Sequence, residues 1–158
     1  MDNPIRRPEE ILAYRSLRKI LSSKPRALFT VRPNDSVLTA LQLMADKNVG
    51  FLVVMEKEAV AGVVSERDCA RRVVLAKKSP ETTPVSDIMV RKVVTVDIGY
   101  TFADCLRLMH QHSIRHLPVI DNGKLVGMIS IGDLVKNIIS EQQFTIQQLE
   151  YYIRGEHT

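Results

Sequence analysis

A chain of 158 residues and 17.9 kDa, 45% hydrophobic and 25% charged, has the make-up of one ordinary globular domain or two small ones, which excludes an intrinsically disordered segment. Its longest apolar runs, such as Phe51 to Met55, fall far short of the roughly 20 residues needed to cross a bilayer, and the N-terminus has neither the apolar stretch of a signal peptide nor the acid-poor character of a transit peptide; a cytoplasmic protein without membrane contact is expected. The 22 basic and 18 acidic residues leave a formal +4 spread along the chain, which suits a small anionic ligand about as well as weak nucleic-acid contact.

In chain order, Pro8 to Leu21 predicts an N-terminal amphipathic helix, with Tyr14, Leu17 and Leu21 on one stripe and Arg15, Arg18 and Lys19 off it. Leu28 to Val31 is β-branched and apolar enough for a short strand. After a turn, Val37, Ala40, Leu41 and Met44 fall at i, i+3, i+4 and i+7, which gathers them on one face of a helix capped by Ser36. Phe51 to Met55 and Val60 to Val64 then form a hairpin across the polar turn Glu56-Lys57-Glu58. A second helical face follows at Cys69, Ala70, Val73 and Val74.

Residues 79–92 form a connector rich in Ser, Pro and Thr at first. Beyond it the same order recurs: a strand at Val93 to Val96, a helix capped by Thr101 with Phe102, Cys105, Leu106 and Met109 on one face, and a hairpin of Leu117 to Ile120 and Leu125 to Ile129 turning on Asp121-Asn122-Gly123. The closing helix presents Leu134, Val135, Ile138 and Ile139, and a separate short helix from about Ile146 to Ile153 is expected from the capping-box spacing of Thr145 to Gln148. Thr30 to Val74 in fact aligns without gaps on Thr95 to Ile139. Each copy is too small to bury a sufficient core alone, so the copies should share one backbone plan and pack together.

This doubled order, closed by Gly62-Val63-Val64-Ser65-Glu66-Arg67-Asp68 and by Gly127-Met128-Ile129-Ser130-Ile131-Gly132-Asp133, resembles a tandem pair of cystathionine-β-synthase (CBS) domains, the Bateman module. Val85-Ser86-Asp87-Ile88-Met89 and Ile114-Arg115-His116-Leu117-Pro118-Val119-Ile120 agree with it, and the tails look like those of free-standing bacterial members. The resemblance implies an α+β fold of two β-α-β-β-α units related by a pseudo-two-fold axis, over residues 23–78 and 93–142, flanked by an N-terminal helix in 1–22 and a helical tail in 143–158. It also implies regulation without catalysis or a catalytic cofactor, acting on a regulated protein that the sequence does not identify. The ligand implied is an adenosine compound (AMP, ADP, ATP, NAD or S-adenosylmethionine) in up to two clefts between the units, and the assembly implied is a homodimer formed through helices.

Beside the resemblance, the residues themselves suit a nucleotide. Asp68 and Asp133 follow a strand end and offer two acceptor oxygens to the two hydroxyls of a ribose, while Ser65 and Ser130 offer hydroxyls at a helix start that favours negative charge. Arg67, Arg115 and His116 are the candidates for phosphate, and Val64, Ile129 and Val94 for the faces of adenine. Gly62 and Gly127 would leave room for close approach. The copies differ, since Gly50-Phe51 stands where Arg115-His116 does and Arg67 stands opposite Gly132, which argues against two equivalent sites.

The plainer meaning of Ser-x-x-Asp is a capping box that binds nothing; its duplication after a Gly-containing strand favours a ligand. A polynucleotide-binding module using Arg6, Arg7, Arg15, Arg18, Lys19, Arg71 and Arg72, and a purely structural dimerisation module, are the alternatives. His110 and His112 are two apart, on different helical faces, and do not make a metal pair. Ser130, His116 and Asp133 lack the elbow and oxyanion donors of a hydrolase. Cys69 and Cys105 have no paired spacing and read as small apolar core residues.

Overall fold

The computed structural model describes residues 16–23 and 28–154. The elements run α1 (Leu17–Ser23), β1 (Thr30–Val31), α2 (Val37–Lys47), β2 (Phe51–Glu56), β3 (Ala59–Ser65), α3 (Glu66–Cys69) continuing into a π-helical turn (Ala70–Val74), a 3-10 turn (Val85–Asp87), β4 (Val96–Asp97), α4 (Phe102–His112), β5 (His116–Asp121), β6 (Lys124–Ser130) and α5 (Ile131–Ile153). They make two three-stranded sheets, β1-β2-β3 and β4-β5-β6, the α+β plan expected. In the first sheet β1 lies parallel to β2, and β2 pairs antiparallel with β3 from Phe51↔Ser65 to Glu56↔Ala59.

The chain divides into two compact units, one of residues 26–95 with 118–127, the other of residues up to 25 with 96–117 and 128 onward. This division crosses the sequence repeat, because the middle of the second hairpin belongs to the first unit. In that first unit Val31, Leu52, Val54 and Val64 face Val37, Ala40 and Met44 of α2, with Cys69 and Val73 behind them. In the second, Leu17, Ile20, Val96, Phe102, Cys105, Met109, Leu117, Ile129 and Leu134 are buried.

Both first helices begin at the caps that their sequences predict. Ser36 Oγ accepts from Thr39 N at 3.1 Å, and Thr101 forms a full capping box with Asp104; Asn48 and Ser113 close the two helices in the left-handed region at φ 53°. Asn122 and Gly123, at φ 49° and 76°, make the expected tight turn.

The connector takes part in the packing of the first unit: Val85 and Ile88 are fully buried, and its Thr83 and Pro80 carbonyls accept from Val37 N and Leu38 N, supplying partners for the open first turn of α2. Three expectations are corrected. The N-terminal stripe runs through Leu17 and Ile20, because the helix starts at Leu17; residues 8–15 of the predicted helix, with Tyr14, lie outside the described residues. No new helix starts at Thr145, since α5 runs unbroken for 23 residues. In the closing helices only half of each predicted apolar face is inward: Cys69, Val73 and Leu134 are buried, whereas Val74, Val135 and Ile139 are exposed.

At Gly62 two backbones approach closely. Val63 and Val90 exchange both backbone hydrogen bonds at 3.0 and 2.8 Å, and a Cβ on Gly62 would stand 2.8 Å from the Val90 carbonyl oxygen and 2.9 Å from Met89 Sδ. The space expected there for a ligand is taken by the connector.

Candidate functional site

Each sheet ends where its last strand turns into a helix, and the two ends are built alike. In the first copy, Phe51 of β2 lies opposite Ser65 of β3, and Glu66 N donates to the Gly50 carbonyl at 3.0 Å. In the second, Ile131 N donates to the Arg115 carbonyl at 2.9 Å. The folding therefore seats Gly50 and Phe51 beside the first Ser-x-x-Asp and Arg115 and His116 beside the second, as the repeat alignment requires.

The carboxylates turn back on their own helix starts. Asp68 Oδ2 accepts from Ser65 N at 3.0 Å and from Ser65 Oγ at 2.8 Å, while Ser65 Oγ accepts from Asp68 N at 3.1 Å. Asp133 Oδ2 accepts from Ser130 N at 2.9 Å, and Ser130 Oγ accepts from Asp133 N at 3.1 Å. The capping box is thus realised in both copies. Asp68 Oδ1 accepts no hydrogen bond from the described residues, so one oxygen of a half-buried, rotationally fixed carboxylate remains for an incoming donor. The motif itself is not distinctive here, because Thr101 and Asp104 form the same box at the start of α4: Thr101 N reaches Asp104 Oδ2 at 2.9 Å, and that backbone hydrogen bond, followed by the Thr101 hydroxyl, lowers the Asp104 pKa.

The basic candidates stand next to these boxes. Arg67 is exposed on α3 and Arg115 is exposed just before β5, and neither guanidinium has an acidic partner among the described residues; His116 is half-buried. A Cβ on Gly132 would meet only Ser130 Oγ at 3.6 Å, so the helix start there is open. The adenine assignment needs correction in part. Val64 and Ile129 are wholly buried in the core, because strand alternation turns them away from the face that carries Ser65 and Ser130; Val63 and Met128 are the half-buried residues beside them. Val94 is half-buried and lies before β4 rather than in it.

Sequence reasoning missed a cavity of about 590 Å³ at the other end of the first sheet, lined by Leu28, Thr30, Arg32, Met55, Lys57 and Leu125. That is an ordinary size for a small-molecule site. It carries two cations and no acid. The alternation Leu28-x-Thr30-x-Arg32, which places all three on the face opposite buried Val31, was the signal available.

The remaining candidates are quickly placed. Arg72 donates to the Ile88 carbonyl at 3.0 Å, so one member of the basic set proposed for polynucleotides ties down the connector instead; Arg6, Arg7 and Arg15 lie outside the described residues. No group of three His, Cys, Asp or Glu among the described residues is placed to hold a metal ion, and no described helix is long and apolar enough to cross a membrane. Cys69 and Cys105 are buried free thiols. Burial pushes Cys69 up to about 11, with Asp68 and Glu66 adding to the effect, and Cys105 up to about 12. Both therefore stay neutral at pH 8, and iodoacetamide should label them at least about a hundredfold more slowly than a free thiol, recovering full reactivity in denaturant. Rapid labelling of either in the folded protein would contradict the burial described.

Comparison with known proteins supplies the context for this geometry. The family model for the CBS domain matches residues 18–75 and 85–140, starting in each case in a segment that precedes the repeat, α1 or the connector. The chain is 38% identical over 127 residues to the CBS domain-containing protein CBSX3, mitochondrial, of Arabidopsis thaliana, a match covering 77% of this chain and 62% of that one. It is 36% identical over 113 residues to the CBS domain-containing protein YhcV of Bacillus subtilis, covering 72% and 80%. Among solved structures, one from Burkholderia ambifaria described as a signal-transduction protein with CBS domains superposes with a TM-score of 0.78 at 48% identity, covering 84% of this chain and 99% of that one.

Proposed function

Because the chain belongs to the CBS-domain family, with two such domains in tandem, we propose that it is a regulatory module without catalytic activity that senses an adenosine-containing ligand such as AMP, ADP, ATP, NAD or S-adenosylmethionine. The observation that carries this reading is the duplicated seat at the strand-to-helix junction, where a fixed carboxylate, a serine and an unpaired arginine or a histidine lie together. Asp68 Oδ1 accepts from a ribose hydroxyl, and Asp133 is its counterpart by position in the second copy. Arg67 in the first unit and Arg115 with His116 in the second supply charge for phosphate. Regulation follows only where the ligand binds two arrangements of a module unequally, the regulated partner reading the difference.

A thermal-shift panel of AMP, ADP, ATP, NAD and S-adenosylmethionine tests the reading. A true ligand at a hundredfold its dissociation constant adds about 2.7 kcal/mol, or about 5–10 °C for a chain of this size. Asp68→Asn keeps an acceptor for the Ser65 amide, so it should leave the unliganded melting point within about 2 °C while removing the first-copy response; Asp104→Asn, at the third capping box, should leave the response intact. If Asp68→Asn and Asp133→Asn both retain the full response while Arg32→Ala with Lys57→Ala loses it, the ligand sits in the cavity and the seat is only a cap. A panel with no shift at all would leave a structural module.

A further inference from the structure

The cavity of about 590 Å³ at the hairpin end of the first sheet lies wholly within the first unit and shares no residue with either seat. The register Val31↔Val54 brings Arg32 level with Met55, and Lys57 follows two residues later in the hairpin turn. Both cations therefore stand at the turn end, with Thr30 two and Leu28 four residues back from Arg32. The Asp35 carboxylate accepts from the Arg32 backbone N–H at 2.8 Å, and neither the Arg32 guanidinium nor the Lys57 ammonium has an acidic partner among the described residues.

The repeat shows which of these residues are particular to the cavity. Carried across it, Leu28, Thr30 and Met55 fall on Val93, Thr95 and Ile120, so the apolar and hydroxyl frame is kept in both copies. The pair at the turn end is what changes: Arg32 falls on Asp97 and Lys57 on Asn122. Lys57 nevertheless keeps the left-handed backbone, at φ 56° where Asn122 has 49°. Asn enters that region readily and lysine does not, so the first turn gives up local stability to place an ammonium at the cavity.

The chemistry of the lining selects an occupant. Two cations with no carboxylate among the lining residues match a doubly charged anion, with the guanidinium fork and the Thr30 hydroxyl as directed donors. A phosphate monoester carries about 1.5 to 2 negative charges at pH 7, more than a carboxylate or a sulfate ester. Leu28, Met55 and Leu125 supply apolar walls, and no acid is there to accept from a sugar's hydroxyls, which favours an apolar body over a nucleoside. We infer that this cavity is a second binding site, for a small phosphate monoester on a compact apolar body. The inference does not rest on the adenosine reading of the seats.

Phenyl phosphate titrated into the full chain and followed by two-dimensional NMR should shift the amides of Thr30, Arg32 and Lys57 together. Arg32→Gln and Lys57→Asn should each weaken this binding about tenfold. Lys57→Asn installs the residue of the second copy at a left-handed position, so its melting temperature should hold or rise; loss of the ligand from a chain that is no less stable separates binding from folding. Phenyl sulfate, the singly charged analogue of the same shape, should bind about tenfold more weakly, and so should inorganic phosphate, which lacks the apolar body. Asp68→Asn with Asp133→Asn should leave the cavity shifts in place while the nucleotide response is lost, so the two readings fail separately. Shifts confined to Ser65, Asp68, Ser130 and Asp133, or full affinity in both Arg32→Gln and Lys57→Asn, overturn the site. Equal affinity for phenyl sulfate overturns the doubly charged ligand, and equal affinity for inorganic phosphate overturns the apolar body.

Discussion

Gly62→Ala should lower the melting temperature by about 4–8 °C, a large effect for adding one methyl group. Its Cβ would lie 2.8 Å from the Val90 carbonyl oxygen, which accepts from Val63 N in a residue whose own N donates back to the Val63 carbonyl, and 2.9 Å from Met89 Sδ. The sulfur sits on a flexible side chain and can move. The carbonyl cannot retreat without breaking the Val63–Val90 pair and lifting Ile88, which is fully buried, so an overpacking cost of about 2 kcal/mol is expected. Gly132→Ala is the control. There the new methyl meets only Ser130 Oγ at 3.6 Å, at the start of a helix, and the substitution should hold or raise stability. Differential scanning calorimetry of the two variants decides it: equal melting points would mean that the connector does not lie against β3 in solution.

Leu17→Ala should cost about 3 kcal/mol, lowering the melting temperature by about 6–12 °C. Leu17 has no exposed surface, Ile20 is also buried, and the segment is joined to the start of α4 by a Ser16↔Thr101 bridge and by Leu17 N donating to the Tyr100 carbonyl at 3.4 Å. It does for α4 what the connector does for α2, where Ser36 bridges Pro84. Lys19→Ala, on the exposed side of α1, should change stability by no more than about 0.5 kcal/mol. If Leu17→Ala melts with Lys19→Ala rather than well below it, α1 is not part of the second unit.

These two expectations mark where the sequence was legible and where it was not. Elements whose pattern is local came through: the apolar face of α2, the caps at Ser36 and Thr101, and the Asn122-Gly123 turn are each determined by residues within a few positions. The docked segments were not, because their partners lie far along the chain. Leu17-x-x-Ile20-Leu21 and Val85-x-x-Ile88-Met89 carry the same apolar spacing, but one reads as helix and the other as loop until the surface each covers is known. The strands shortened for a related reason: Leu28, Phe29 and Val93 to Thr95 have strand character but lie outside the ladders, which keep only Thr30–Val31 and Val96–Asp97. At the candidate site, the residues of each seat were found from the repeat, and their closeness follows from the Phe51↔Ser65 register. Which of Val63 and Val64 faces outward depends on strand phase. The cavity at Arg32 and Lys57 escaped notice because its lining joins β1, the hairpin turn and Leu125, a residue from the other copy of the repeat.

The bridge from Ser16 to Thr101 bears on how the chain is made. A nascent polypeptide leaves the ribosome from its N-terminus, so Leu17 and Ile20 emerge well before α4 exists to receive them, and until then they are two apolar side chains in water. The first unit faces a shorter delay, since it lacks only residues 118–127 once Thr95 is out. Neither unit can close before most of the second repeat has cleared the exit tunnel, so translation speed from the end of α1 through α4 sets how long the early α1 segment is open to a chaperone or a protease.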